Sequence, residues 1–216
     1  MIWNLCSRMP QPPNKNIVYI HGSGASTLSF NFLQIFLPEH NVLYIEYDTQ
    51  ELPETVITRI KMQILDEFGH DPFSVIAHSY GCLLGLKAVQ AFANCDVFLA
   101  MSAPWGGSRT AKWLSYAFRH SKLFTALNPK SAFITALQTV NNDFKIINIV
   151  TTGTRGAGNA LAGMGESNDG TLTVRTQKSV PNNFNNLKQI ETGTSHNEVL
   201  VNFETVEIIK REIFCE

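Results

Sequence analysis

Residues Phe73 to Gly85 read FSVIAHSYGCLLG. An apolar strand-forming run ends at Ala77, a serine stands two residues later, and a helix pattern rich in small residues begins at once. A serine held in such a strand-to-helix turn projects its hydroxyl above the carboxyl edge of a sheet, where the first amides of the new helix point at any developing negative charge. Ser79 is therefore the candidate nucleophile. The pentapeptide Ala77-His-Ser-Tyr-Gly81 differs from G-x-S-x-G only at its first position, where alanine is still small enough for close backbone packing.

Outward from this turn, short β-branched runs alternate with amphipathic segments, the pattern of a mostly parallel sheet covered by helices on both faces. Strands are expected at Asn16–Ile20, Val42–Tyr47, Phe73–Ala77, Asp96–Met101, Lys145–Thr151 and Leu187–Thr192. Leu28, Phe32, Ile35 and Phe36 recur at helical spacing after Ser26. Ile57, Ile60, Ile64 and Phe68 do so after Pro53, and both stripes are expected to pack on the sheet. Val199, Phe203, Val206, Ile209 and Ile213 predict a terminal helix.

Residues 104–142 interrupt the alternation with helical stretches around Trp113–Phe124 and Ser131–Val140, which reads as a helical cap inserted into a single domain spanning residues 1–216. Trp105, Trp113 and Tyr116, with Phe118 and Phe124, are candidates to line an acyl pocket there. Gly153–Gly170 lacks apolar periodicity and predicts a long loop. Its Gly156-Ala157-Gly158 lacks the spacing of a dinucleotide fingerprint.

The chain has 216 residues, 44% of them hydrophobic and 16% charged, enough for one substantial core. Seventeen basic side chains against 18 acidic ones show no overall electrostatic footprint for nucleic acid or an anionic membrane, and favour a neutral or apolar small-molecule substrate. The first residues lack a signal-peptide pattern and no run reaches transmembrane length, so the expected location is cytoplasmic. Cysteines at 6, 82, 95 and 215 form no C-x-x-C pair, which predicts reduced thiols and no metal.

A serine hydroxyl needs a base within hydrogen-bond reach and a third group to orient that base. His196 follows the last expected strand at the carboxyl edge that displays Ser79 and is the candidate base. His21 is expected to brace a loop, His78 to point away from the Ser79 face, and His70 and His120 to lie on the surface. Asp169 is the candidate orienting acid, with Glu166 as its neighbouring rival. The backbone amides of Tyr80 and of Ser23, in the turn His21-Gly-Ser-Gly-Ala25, are the candidate oxyanion donors.

These segments, together with Ser102-Ala-Pro-Trp-Gly-Gly-Ser108, Asn128-Pro-Lys-Ser-Ala-Phe133 and Asn168-Asp-Gly-Thr-Leu-Thr-Val174, resemble in order those of the α/β-hydrolase superfamily, more narrowly its small bacterial lipases and esterases. The resemblance runs from Asn16 onward. It implies a minimal α/β-hydrolase fold without the leading hairpin of larger members, a Ser-His-Asp triad cleaving carboxylic esters, and no organic cofactor. Paired aspartates of the kind that bind calcium in secreted relatives are missing around Asp169 and His196, which points to an intracellular esterase. Cleavage of a thioester or amide, acyl transfer, and a noncatalytic binding scaffold remain open, as do oligomeric state and acyl length.

Overall fold

A computed structural model of the chain describes residues 15–139, 143–154, 166–181 and 183–215. Cys6, the chain's first residues, Gly156–Gly158 and most of the expected glycine-rich loop lie outside them. Six parallel strands, β1 (Lys15–Ile20), β2 (His40–Ile45), β3 (Phe73–His78), β4 (Cys95–Met101), β5 (Lys145–Thr151) and β6 (Leu187–Thr192), form one sheet in the order β2-β1-β3-β4-β5-β6. The order reverses direction between β1 and β3, so the connections leaving these two strands diverge and open a crevice at their carboxyl ends.

Alternate side chains of each strand enter different cores. On β1, Ile17 and Tyr19 face α1 (Asn31–Phe36) and α8 (Phe203–Ile209), while Val18 and Ile20 face α2 (Pro53–Phe68) and α3 (Tyr80–Val89). Burial on both faces explains why the strands read as continuous apolar runs. Three short helices, α4 (Arg109–Ala117), α5 (Lys122–Ala126) and α6 (Ala132–Leu137), occupy the β4–β5 connection. The short α7 (Val174–Lys178) precedes β6.

Several local expectations change. β2 starts and stops two residues early, because Tyr47 leaves the ladder to stack on His21 and donate its hydroxyl to the His21 carbonyl. The Leu28–Phe36 stripe packs only in part: Phe32 lies against the core, but Leu28 is 71% and Ile35 73% exposed, and Phe30 and Leu33 take the buried positions. A 3-10 turn over Thr27–Phe30 precedes α1 and shifts the helical phase. The segment expected as one helix over Trp113–Phe124 breaks at Phe118, since Ser121 caps a new helix by accepting the Phe124 amide. The terminal helix likewise splits at Asn202, whose side chain caps α8. Its last turn is pinned to β5 and β6 by Glu212, which accepts from Lys145, Lys188 and Arg211.

Candidate active site

Ser79 sits at the end of β3 with φ 51° and ψ −124°, a left-handed conformation that side chains avoid. Its amide donates to the Met101 carbonyl at 2.8 Å, which fixes the turn to β4. As N-cap of α3 its hydroxyl makes no capping bond, so it remains free for other partners. The turn is possible because Gly81 passes against β1: a Cβ there would lie 2.3 Å from the His21 carbonyl oxygen and 2.6 Å from that of Ile20. Gly22 passes equally close on the other side, where a Cβ would sit 2.9 Å from His78 Nδ1 and 3.1 Å from Ser79 Cβ.

The hydroxyl of Ser79 lies 3.0 Å from His196 Nε2, and His196 Nδ1 lies 2.8 Å from Asp169 Oδ2. Three side chains separated by 90 and 27 residues thus form one hydrogen-bonded chain, all of them buried. Asp169 also accepts the Thr171 and Leu172 amides on Oδ1, and the Thr151 hydroxyl and Gln177 amide on Oδ2. Burial alone raises a carboxyl pKa, but the bonds from His196, Leu172 and Thr151 outweigh it and hold Asp169 below its ordinary value. An ionised Asp169 places the proton of His196 on Nδ1, which leaves Nε2 to accept from Ser79. Glu166, the rival acid, instead pairs with Arg109 at the surface.

His78 does not point away from the site. Its ring lies 5.0 Å from that of His196, and its Nε2–H donates to the His196 carbonyl at 2.9 Å. Ser102, at φ 52°, shares a hydroxyl contact of 2.9 Å with Thr151, whose own proton goes to Asp169. The sequence gives no supporting role to Thr151, Gln177 or Ser102, and it sets His78 aside; polar residues beside apolar strand ends carry no periodicity that separates a buried support from a loop residue. His21 braces the β1 loop, with Nδ1 2.8 Å from the Gly22 carbonyl and its ring stacked on Tyr47.

Burial, aided by the neighbouring His196, lowers the His78 pKa from 6.5 to about 3. An unfolded chain takes up a proton here near pH 6.5 and the native state does not, so this contribution is complete above pH 6.5 and is lost as pH falls toward 3. Urea unfolding at pH 5 should therefore show roughly 2 kcal/mol less stability from this residue than at pH 7. His78→Gln retains a donor for His196 and cannot titrate, so it should remove most of that difference; equal pH dependence in both proteins would show that His78 does not carry it.

A cavity of about 630 Å³ opens over Ser79. Gly22, Ser23, His78 and His196 lie beside the serine, and Ala111, Leu114, Leu123, Phe124 and Leu127 from the β4–β5 helices supply an apolar wall opposite Leu172, Leu200 and Val201. Among its described lining residues there is no Lys, Arg, Asp or Glu. The aromatic candidates fall elsewhere. Trp105 is fully buried and donates its indole N–H to Asn148, while Trp113 and Tyr116 project outward, 73% and 59% exposed. Trp105 packs inward because β4 ends at Met101, close enough to carry it into the core; on α4, residues 111 and 114 face the cavity and 113 and 116 face away. The Tyr80 ring is buried in the core. Among the described residues no cluster of three or more His, Cys, Asp or Glu side chains is placed to hold a metal ion.

A parallel sheet with its crevice at the β1/β3 reversal, a serine in a strained turn after β3, and a histidine after β6 form a familiar frame. The mature form of the Bacillus licheniformis lipase BlEst2 matches over 94% of this chain and 93% of its own, with a TM-score of 0.71 and 16% identity. The chain has an α/β-hydrolase fold. The α/β-hydrolase of Oenococcus oeni matches at a TM-score of 0.63 and 14% identity over 94% of this chain and 92% of its own. A lipase-esterase related protein of Clostridium acetobutylicum matches at 0.63 and 15% over 93% and 95%. The chain spans about half, 51%, of the propeptide form of BlEst2. No protein-family model and no curated protein sequence matches it.

Proposed function

We propose that this α/β-hydrolase cleaves neutral carboxylic esters through an acyl-serine intermediate. The observation that carries the reading is the continuous hydrogen-bond chain from the Ser79 hydroxyl through His196 to Asp169, placed at the floor of an uncharged, largely apolar cavity. His196 Nε2 takes the serine proton as Oγ attacks the ester carbonyl, and ionised Asp169 stabilises the imidazolium that results. The amides of Ser23 and Tyr80 are assigned to the developing oxyanion, both close to Ser79, one from the glycine-rich β1 loop and one from the first turn of α3. Protonated His196 then donates to the departing alcohol. Water deprotonated by the same imidazole releases the acid in the second half-reaction.

The apolar wall supplied by α4 and α5 is assigned to the acyl chain, in place of Trp105, Trp113 and Tyr116. Each methylene buried there contributes up to about 0.8 kcal/mol, or roughly a fourfold gain in kcat/KM until the wall is covered. A series of nitrophenyl esters from acetyl to decanoyl should accordingly show kcat/KM rising with chain length, and Leu114→Trp should shift the optimum toward shorter acyl groups. Activity confined to acetyl esters would remove the β4–β5 helices from the substrate site.

A further inference from the structure

The near-neutral balance of the whole chain conceals an uneven distribution. Residues 104–142 hold five of its 17 basic side chains, Arg109, Lys112, Arg119, Lys122 and Lys130, and none of its 18 acidic ones. Elsewhere twelve basic residues face eighteen acidic ones. Among the described ion pairs of this segment, Arg109 meets Glu166 and the other four cations take no part.

The same segment presents its large aromatics to solvent. Trp113, Tyr116 and Phe118 are 73%, 59% and 58% exposed, and they are neighbours: the Trp113 ring lies 6.4 Å from that of Tyr116. Phe118 lies 6.1 Å from Phe124, which lines the cavity, so the exposed aromatic surface runs into the cavity wall. α4 is thus a two-sided partition, with Ala111 and Leu114 on the cavity and Trp113 and Tyr116 outside. Val201, from the segment after β6, also lines the cavity and is 55% exposed.

We propose that the β4–β5 helices dock the protein on an anionic lipid bilayer, with Trp113, Tyr116 and Phe118 seated among the headgroups and Lys112, Arg119 and Lys122 against their negative charge. Amphipathic aromatics settle at the headgroup level, and long cationic side chains bury their stems while reaching anionic lipid. Charge complementarity selects the anionic surface: each cation close to it contributes roughly a factor of five in partitioning, provided salt does not screen it. Cations interleaved with aromatics also suit single-stranded nucleic acid, but the uncharged cavity that this surface adjoins, lined by Leu114, Leu123, Leu127 and Leu200, matches acyl chains instead. Docking by itself is independent of the chemistry at Ser79; that it lets an ester pass from the bilayer into the cavity rests on the hydrolase reading.

Co-sedimentation with vesicles tests this directly. The chain should bind vesicles of phosphatidylcholine with 30% phosphatidylglycerol at least about tenfold more tightly than pure phosphatidylcholine, and 0.5 M sodium chloride should abolish most of the difference. The triple change Lys112→Glu, Arg119→Glu, Lys122→Glu should weaken anionic binding about 100-fold or more, and Trp113→Ser with Tyr116→Ser, both on the side of α4 away from the cavity, should weaken it as well. Both variants should keep wild-type turnover of a soluble nitrophenyl butyrate, which shows that they are folded. Equal binding to both vesicles, no binding to either, unchanged binding of the triple variant, or tighter retention on single-stranded RNA than on anionic vesicles would each overturn the proposal. Vesicle binding as described with no ester turnover in the wild type would sustain docking and refute the hydrolase reading alone.

Discussion

Ser79→Ala should lower ester turnover by about 10⁴-fold or more while leaving the fold intact, since the hydroxyl is the bond-forming atom and its removal takes away no core contact. His196→Ala should match it, because the two side chains act as one unit and losing either ends general-base attack. Asp169→Asn should cost about 10⁴-fold, since an amide cannot stabilise the imidazolium and favours the wrong tautomer. The elbow adds a signature that a bystander serine would not produce. At φ 51° the backbone of residue 79 is strained for any side chain, and glycine tolerates it. Ser79→Gly should therefore be inactive yet about 1–2 kcal/mol more stable than wild type in urea unfolding. A Ser79→Gly protein that hydrolyses esters, or is clearly less stable than Ser79→Ala, would contradict this assignment.

Gly81→Ala should be severely destabilising for the addition of a single methyl group. The added carbon meets two backbone carbonyl oxygens of β1, at 2.3 Å and 2.6 Å, and backbone at a strand end cannot turn aside as a flexible side chain can. α3 must move off the sheet, opening the core formed by Cys82, Leu83 and Leu86 with Val75 and Phe98. A loss of about 3–5 kcal/mol is expected, at the upper end for overpacking. The same displacement pushes the His21–Ser23 turn away from Ser79, so protein that still folds should lose about 10²-fold in kcat through misplaced donors. Denaturant midpoints measured beside Ser79→Ala separate the effects, because both changes lie in one turn and only the glycine carries packing. Wild-type stability in Gly81→Ala would show that α3 does not press on β1 as described.

Much of the architecture was legible because both sheet faces are buried. Val18, Ile20, Val75 and Phe98 are strand-forming and apolar in sequence for the reason that they are core in space. The positions of Ser79, Asp169 and His196 could be read from chain order, since residues just past strand ends of a parallel sheet share one edge. Side-chain direction was less accessible. Leu28 and Ile35 follow a helical period, but the 3-10 turn ahead of α1 rotates them outward. Trp105 shares a segment with Trp113 yet faces the opposite way, held by one hydrogen bond to Asn148 that no spacing announces. Gln177 reads as an ordinary polar residue of a short helix, although it is fully buried and bonds Thr151 and Asp169. The charge asymmetry of residues 104–142 was present in the sequence throughout and vanished when charge was summed over the whole chain.

Activation of the Ser79 nucleophile by His196 can be read out with a fluorophosphonate probe. Incubated with the folded protein and mapped by peptide mass, the probe should form one adduct on Ser79, absent from Ser79→Ala and formed at least about 10²-fold more slowly in His196→Ala. A folded wild-type chain that takes no label at Ser79, or one labelled there at the same rate without the imidazole, would show that Ser79 is not a nucleophile activated by His196 and leave the fold as a binding scaffold.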